Sequence, residues 1–153
     1  MSLSLDAIFL DAIEADDAIM SIIGGRRWCT AAPMPEESFL ENVDVPYIIV
    51  KFDGFTVDDG TKDDSYDSGD DTVQIGITVT GKSNEQLDDL VSRVRRAVHS
   101  YFVDHADEEG IPLSTRPSGG RKYYDEDKPC FGIDLTYQCA ATFNLEDEDE
   151  QEE

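Results

Sequence analysis

The chain predicts an α+β domain, a β-sheet with one long helix and an N-terminal helix packed against it. Three stretches carry that expectation. Residues 72–80 place Val73, Ile75, Ile77 and Val79 on one face and Gln74, Gly76, Thr78 and Thr80 on the other, the period-two pattern of a half-buried strand with one wet or partner-facing side. Residues 131–140 repeat the pattern, with Phe131, Ile133, Leu135, Tyr137 and Cys139 alternating with smaller or polar residues. Between them Leu87, Leu90, Val91, Val94, Val98, Tyr101 and Phe102 recur at three- and four-residue steps, so one helical stripe faces the sheet.

Taken in order, Leu5, Ile8, Phe9, Ala12 and Ile13 share a face of a first helix over about 5–15, with Ser4 as its candidate cap. Asp16 or Asp17 caps a short second helix carrying Ile19, Ile22 and Ile23, which Gly24 and Gly25 end. A short extended piece, 26–29, follows, and residues 30–45 read as loop because of Pro33, Pro35 and several acids. Pro46 introduces a nearly continuous apolar run, Tyr47 to Phe52, that fits a strand covered on both faces.

Residues 53–71 are then expected to form a long acidic connection, a flexible hairpin arm between neighbouring strands. Ser83 with Gln86 has the form of a capping box, which starts the main helix at about Asn84. Its acids Glu85, Asp88 and Asp89 come early and Arg93, Arg95 and Arg96 late, as the helix dipole favours, and Asp89 and Arg93 can pair at i, i+4. Ala97 allows close approach. Further on, Ile111 to Leu113 opens a second β region, Pro117 to Gly120 reads as a turn, and Arg121 to Tyr124 reads as a strand before another turn at 125–129. Residues 1–145 therefore read as a single domain and 146–153 as an acidic, disordered tail.

Charge is the unusual feature. The 153 residues carry a formal net charge of −23, which argues against a surface for DNA or anionic membrane, because affinity for phosphates comes from lysine and arginine displacing counterions. The acid is concentrated. Residues 53–71 hold eight aspartates and one lysine, and residues 146–153 hold seven acids and no base. Acidic runs are most often solvated segments that keep a chain soluble. The other reading is a surface that repels DNA, with Asp58, Asp59, Asp63, Asp64, Asp67, Asp70 and Asp71 as its residues.

No catalytic constellation is expected. The aspartate-rich stretch fails the EF-hand template: starting at Asp64 it puts Tyr66 and Ser68 at ligand positions and Ile75 where the closing glutamate belongs. His99 and His105 are six apart, a spacing that does not pair imidazoles on a metal. Neither GxSxG nor HExxH nor a phosphate-cradling glycine loop occurs, and nothing supplies a base-orienting group for Cys29. The expectation is a non-enzyme without cofactor or metal. Cys29, Cys130 and Cys139 form no CxxC pair and leave an odd count, which suits a reducing cytoplasm, and no run is apolar enough to span a bilayer.

Arg93, Arg95 and Arg96 form the densest basic cluster. They read either as a solvated helix face or as a patch that meets acids on a neighbouring copy, since opposite charges on one molecule suit a head-to-tail ring. Arg26, Arg27 and Trp28 extend such a surface if Trp28 is a contact residue and not core.

The order of elements, with Ile22-Ile-Gly-Gly-Arg26, a proline-rich stretch, Pro46-Tyr-Ile-Ile-Val50, Val73-Gln-Ile-Gly-Ile77, a long helix and two late strands, resembles the tail-completion (tail terminator) proteins of long-tailed phages and prophages over about residues 4–143. The resemblance implies an α+β subunit, its sheet mixed or antiparallel, that forms a hexameric ring on the head-proximal end of the tail tube. There it stops tube polymerisation and presents the joining surface to the head–tail connector. It implies a virion protein assembled in a bacterial cytoplasm, with itself, the tail tube protein and the connector protein as partners. A head-side connector or stopper subunit is the alternative within the same particle. An acidic adaptor or inhibitor that mimics nucleic acid is the alternative from another class.

Overall fold

The computed structural model describes residues 5–29, 44–56, 71–108, 111–112, 114–126 and 129–141. Its elements are helix α1 (Leu5–Glu14), helix α2 (Asp17–Ile23), strand β1 (Arg27–Cys29), strand β2 (Ile48–Thr56), strand β3 (Asp71–Gly81), helix α3 (Asn84–Asp104), strand β4 (Ser114–Asp125) and strand β5 (Cys130–Ala141). The strands form one sheet in the order β1-β2-β3-β5-β4, parallel at β1–β2 and antiparallel elsewhere. The fold is α+β with a mixed sheet.

Local chemistry sets the helix ends. The Asp16 side chain accepts a hydrogen bond from the Ile19 amide at 3.0 Å, and Gly24, at φ 59°, closes α2 in a region where a side chain would be strained. At α3 the Ser83 hydroxyl accepts from the Gln86 amide at 3.1 Å. Gln86 returns to the Lys82 amide at 2.8 Å, one residue beyond the usual partner of a capping box.

The helices cover one face of the sheet. α1 packs on α3 and β2, while α3 lies over β3 and β5. Leu5, Phe9 and Ile13 of α1, Leu87, Leu90, Val94 and Val98 of α3, and Val73, Ile75, Ile77 and Val79 of β3 form one core. Burying side chains of this kind contributes about 1.5–3 kcal/mol each before entropy is subtracted. Gly81 lets the start of α3 close onto the end of β3, because a Cβ there would stand 2.9 Å from the Leu87 backbone nitrogen.

Three expectations are corrected. The acidic connection is shorter than 53–71, because β2 runs on to Thr56 and β3 begins at Asp71; the hairpin arm proper, 57–70, lies outside the described residues. A bulge between Phe52 and Gly54 lets the strand continue past Asp53. The expected turn at Pro117 to Gly120 belongs instead to β4, which is continuous over Ser114–Asp125. It sits at the border of the sheet, where the missing proline N–H deprives no neighbour, and a bulge between Pro117 and Gly119 absorbs the irregularity.

The third correction concerns the second face of β3. It was expected to be wet or partner-facing; Gln74 is exposed, but within the subunit Gly76, Thr78 and Thr80 are buried. The Asp53 carboxylate lies where a Cβ of Gly76 would be, and the Tyr123 ring lies where a Cβ of Gly132 would be. Thr78 donates to the Asp134 carboxylate at 2.7 Å, and the Tyr47 amide donates to the Thr80 hydroxyl at 2.9 Å. Side chains from flanking strands thus cover this face. The loop expected at 30–45 lies outside the described residues up to residue 43, as do the end of the chain from residue 142 and the acidic tail.

Candidate functional site

The basic residues singled out in the sequence separate into two groups. Arg26 donates through Nε to the Pro46 carbonyl at 2.9 Å and through an η nitrogen to the Ile22 carbonyl at 3.2 Å. Arg27 donates to the Gly24 carbonyl at 3.0 Å and pairs with Glu14 at 2.9 Å. Both guanidinium groups therefore tie α1 and α2 to the β1 side of the sheet. Trp28 is half-buried and meets Tyr47 edge to face, with ring centroids 6.3 Å apart.

The other group lies on α3. Arg93 pairs with Asp89 at 3.1 Å, the i, i+4 contact expected from its spacing. Arg95 and Arg96 are exposed and line a groove between α3 and β4. β1 and β4 are opposite borders of the sheet, and Arg96 also faces Ala12, Ala15 and Asp16 at the end of α1, next to the Glu14 that Arg27 pairs with.

That groove, of about 920 Å³, was not foreseen from the sequence. It exists because the helical layer stops over β5 while β4 projects beyond it. One wall is α3 from Ser92 to Val103; the other is Ile111, Pro112 and the start of β4. Its floor includes Tyr137, whose hydroxyl accepts a hydrogen bond from Arg95 and whose ionisation is pushed up by burial, against the pull of that guanidinium. Among the described residues no carboxylate lines it. That β4 would stand beside the end of the helix and form a second wall was not readable in the sequence.

Of the candidate acidic residues, Asp58, Asp59, Asp63, Asp64, Asp67 and Asp70 lie outside the described residues, and Asp71 begins β3. His105 closes α3 and stacks on Tyr101 at 3.9 Å, while His99 lines the groove. All three cysteines are buried, and none forms a disulfide. Cys139 has its thiol pushed up to about 11 by burial, partly offset by a hydrogen bond from Thr115. Tyr123, above Gly132, is raised well beyond the usual phenol range, by burial first and then by Asp134. Among the described residues no helix is long and apolar enough to cross a membrane, and no group of three or more His, Cys, Asp or Glu is placed to hold a metal ion.

No protein-family model and no curated protein matches the chain. Among solved structures, the chain is similar in fold to one from the virion of a native gene transfer agent particle, with a TM-score of 0.52 and 15% sequence identity, over 91% of this chain and 95% of that one.

Proposed function

We propose that the chain is a structural virion protein that caps the head-proximal end of a phage-type tail tube as a ring, ends tube polymerisation and forms the head–tail joining surface. The observation that carries this reading is the likeness in fold, over nearly the whole of both chains, to a chain of a gene transfer agent virion. The order of motifs shared with tail-completion proteins supports it independently.

The shape of the subunit supports a ring. The sheet has two unlike borders, the three-residue β1 and the twelve-residue β4, so each copy offers two different surfaces, as a head-to-tail contact requires. The work is geometric and the reading assigns no catalysis, cofactor or metal. One face of the ring meets the last ring of tube protein and the other meets the connector, so growth stops. DNA passes through the middle, where an acidic lining would repel its phosphates. Specific binding to nucleic acid or to a membrane is not part of the mechanism.

Deleting the gene from the parent phage and imaging the particles tests the reading. Overlong or headless tails are the expected result, and a hexamer, alone or with tube protein, is expected by native mass measurement. Normal tails on particles with unsealed heads would move the chain to the head-side stopper. Tight binding to a DNA-handling enzyme, with no self-association under any condition, would replace the reading with the nucleic-acid mimic.

A further inference from the structure

We infer that the outer side of α3 is a self-complementary surface on which a second copy of this chain docks antiparallel, crossing at Ser92. Asp88 and Asp89 of each copy then meet Arg95 and Arg96 of the other. The apolar stripe of α3 faces the core, and on the opposite side the helix exposes Glu85, Asp88, Asp89, Ser92, Arg95 and Arg96. At about 100° per residue, these six fall in a sector about 120° wide that is centred on Ser92.

The charges in that sector are arranged antisymmetrically. Asp88 and Asp89 stand four and three residues before Ser92, and Arg95 and Arg96 stand three and four residues after it. The helix dipole favours acids early and bases late, but it does not set this spacing. A two-fold axis perpendicular to α3 at Ser92 brings opposite charges together twice over, as an isologous contact requires. Such an axis keeps each side of the sector on its own side. Asp88 therefore falls beside Arg95 of the second copy and Asp89 beside its Arg96, each pair level to within about 1.5 Å along the helix. Two helices in parallel register would instead set acids against acids.

The same charges find little compensation within one copy. Glu85 lies three and four residues from Asp88 and Asp89, spacings at which like charges destabilise a helix. Among the described residues, Asp89 pairs with Arg93, whereas Glu85, Asp88, Arg95 and Arg96 have no opposite charge at salt-bridge distance. Asp16, which shares a smaller cavity with Arg96, is taken up by the Ile19 amide. Ser92 is small enough at the crossing point for two helix axes to approach to about 8–10 Å. The groove runs beside α3 from Ser92 to Val103, the half of the helix that the first turns of the second copy would overlie. The inference does not rest on the ring, whose contact is assigned to the two borders of the sheet; two copies joined through α3 close on themselves.

The test uses the full chain. Sedimentation at low salt should show a monomer–dimer equilibrium that shifts to monomer in about 1 M salt, where the screening length falls to about 3 Å. Two charge-reversed variants, Asp88→Lys/Asp89→Lys and Arg95→Glu/Arg96→Glu, alter only exposed positions. Each should raise the dimer dissociation constant at least about tenfold, because like charges now face each other. Mixed one to one they should form a heterodimer about as tight as the parent dimer, which also shows that both fold. Ser92→Cys, on the two-fold axis, should oxidise to a disulfide-linked dimer in the parent background and in neither reversed variant; the native thiols are buried. A parent that is monomeric at every concentration and salt would overturn the inference, as would self-association unmoved by the reversals. Mixtures that grow past one to one, with no cross-link through position 92, would mean a head-to-tail contact and overturn it equally. Ring assembly with tube protein is read separately, so either reading can fail alone.

Discussion

Phe9 of α1 and Phe102 of α3 meet edge to face with ring centroids 5.0 Å apart, and Tyr137 of β5 stands 5.4 Å from Phe9 on its other side. Three elements distant in sequence are joined through one fully buried ring. Phe9→Ala is expected to cost about 3–5 kcal/mol, read as a lower urea midpoint, because the ring's contacts are lost and the space is only partly refilled. A cost below about 1 kcal/mol would mean that α1 is not docked as described.

Gly81 and Gly25 make a matched pair. A methyl group at Gly81 would press on the Leu87 backbone, whereas at Gly25 it would meet nothing within 4 Å. Gly81→Ala should destabilise by about 1–3 kcal/mol, as overpacking does, and Gly25→Ala should stay within about 0.5 kcal/mol. Thermal unfolding of the two variants side by side checks this.

Arg27 and Arg96 should respond oppositely to charge reversal. Arg27→Glu loses the Glu14 pair and the bond to the Gly24 carbonyl and sets two acids together, so its melting temperature should fall. Arg96→Glu, on an exposed position, should melt as the parent does but alter salt-dependent association. Melting curves and sedimentation at two salt concentrations separate the outcomes.

Alkaline pH should weaken the fold. The Cys139 thiol is raised from 9.0 to about 11 by burial, so the folded state keeps a proton that the unfolded state releases. Its contribution is fully present below about pH 9 and is lost as pH rises through about 11. Tyr123 is shifted in the same direction from 10.0. Urea midpoints from pH 8 upward should therefore decline, and Cys139→Ala should show a shallower decline.

Much of this architecture was legible in the residues. The alternation from Val73 to Val79 and from Phe131 to Cys139 located β3 and β5, and the Ser83–Gln86 pair located the start of α3 at Asn84. That β2 and β3 are neighbours was legible, but the rest of the order was not, because pairing of β3 with β5 joins residues fifty or more apart. β4 was missed in part because Pro117 and Gly119–Gly120 are turn residues in most contexts, and only its position at a border makes a strand of them. The hidden side of β3 was missed because its cover, Asp53 and Tyr123, comes from other strands. At the candidate site, the arginines were visible but their partners were not: Arg26 and Arg27 answer to carbonyl oxygens, which no composition reveals.

The unequal borders of the sheet bear on how samples behave when concentrated. A long open strand invites another strand to add to it, and a chain with two such strands could polymerise end to end without limit. Among the described residues β1 offers Arg27 to Cys29, and β4 is interrupted by a proline and a bulge and carries Arg116, Arg121 and Lys122. Fibril growth by strand addition therefore has a poor template at one border of the described sheet and a kinked, cationic one at the other.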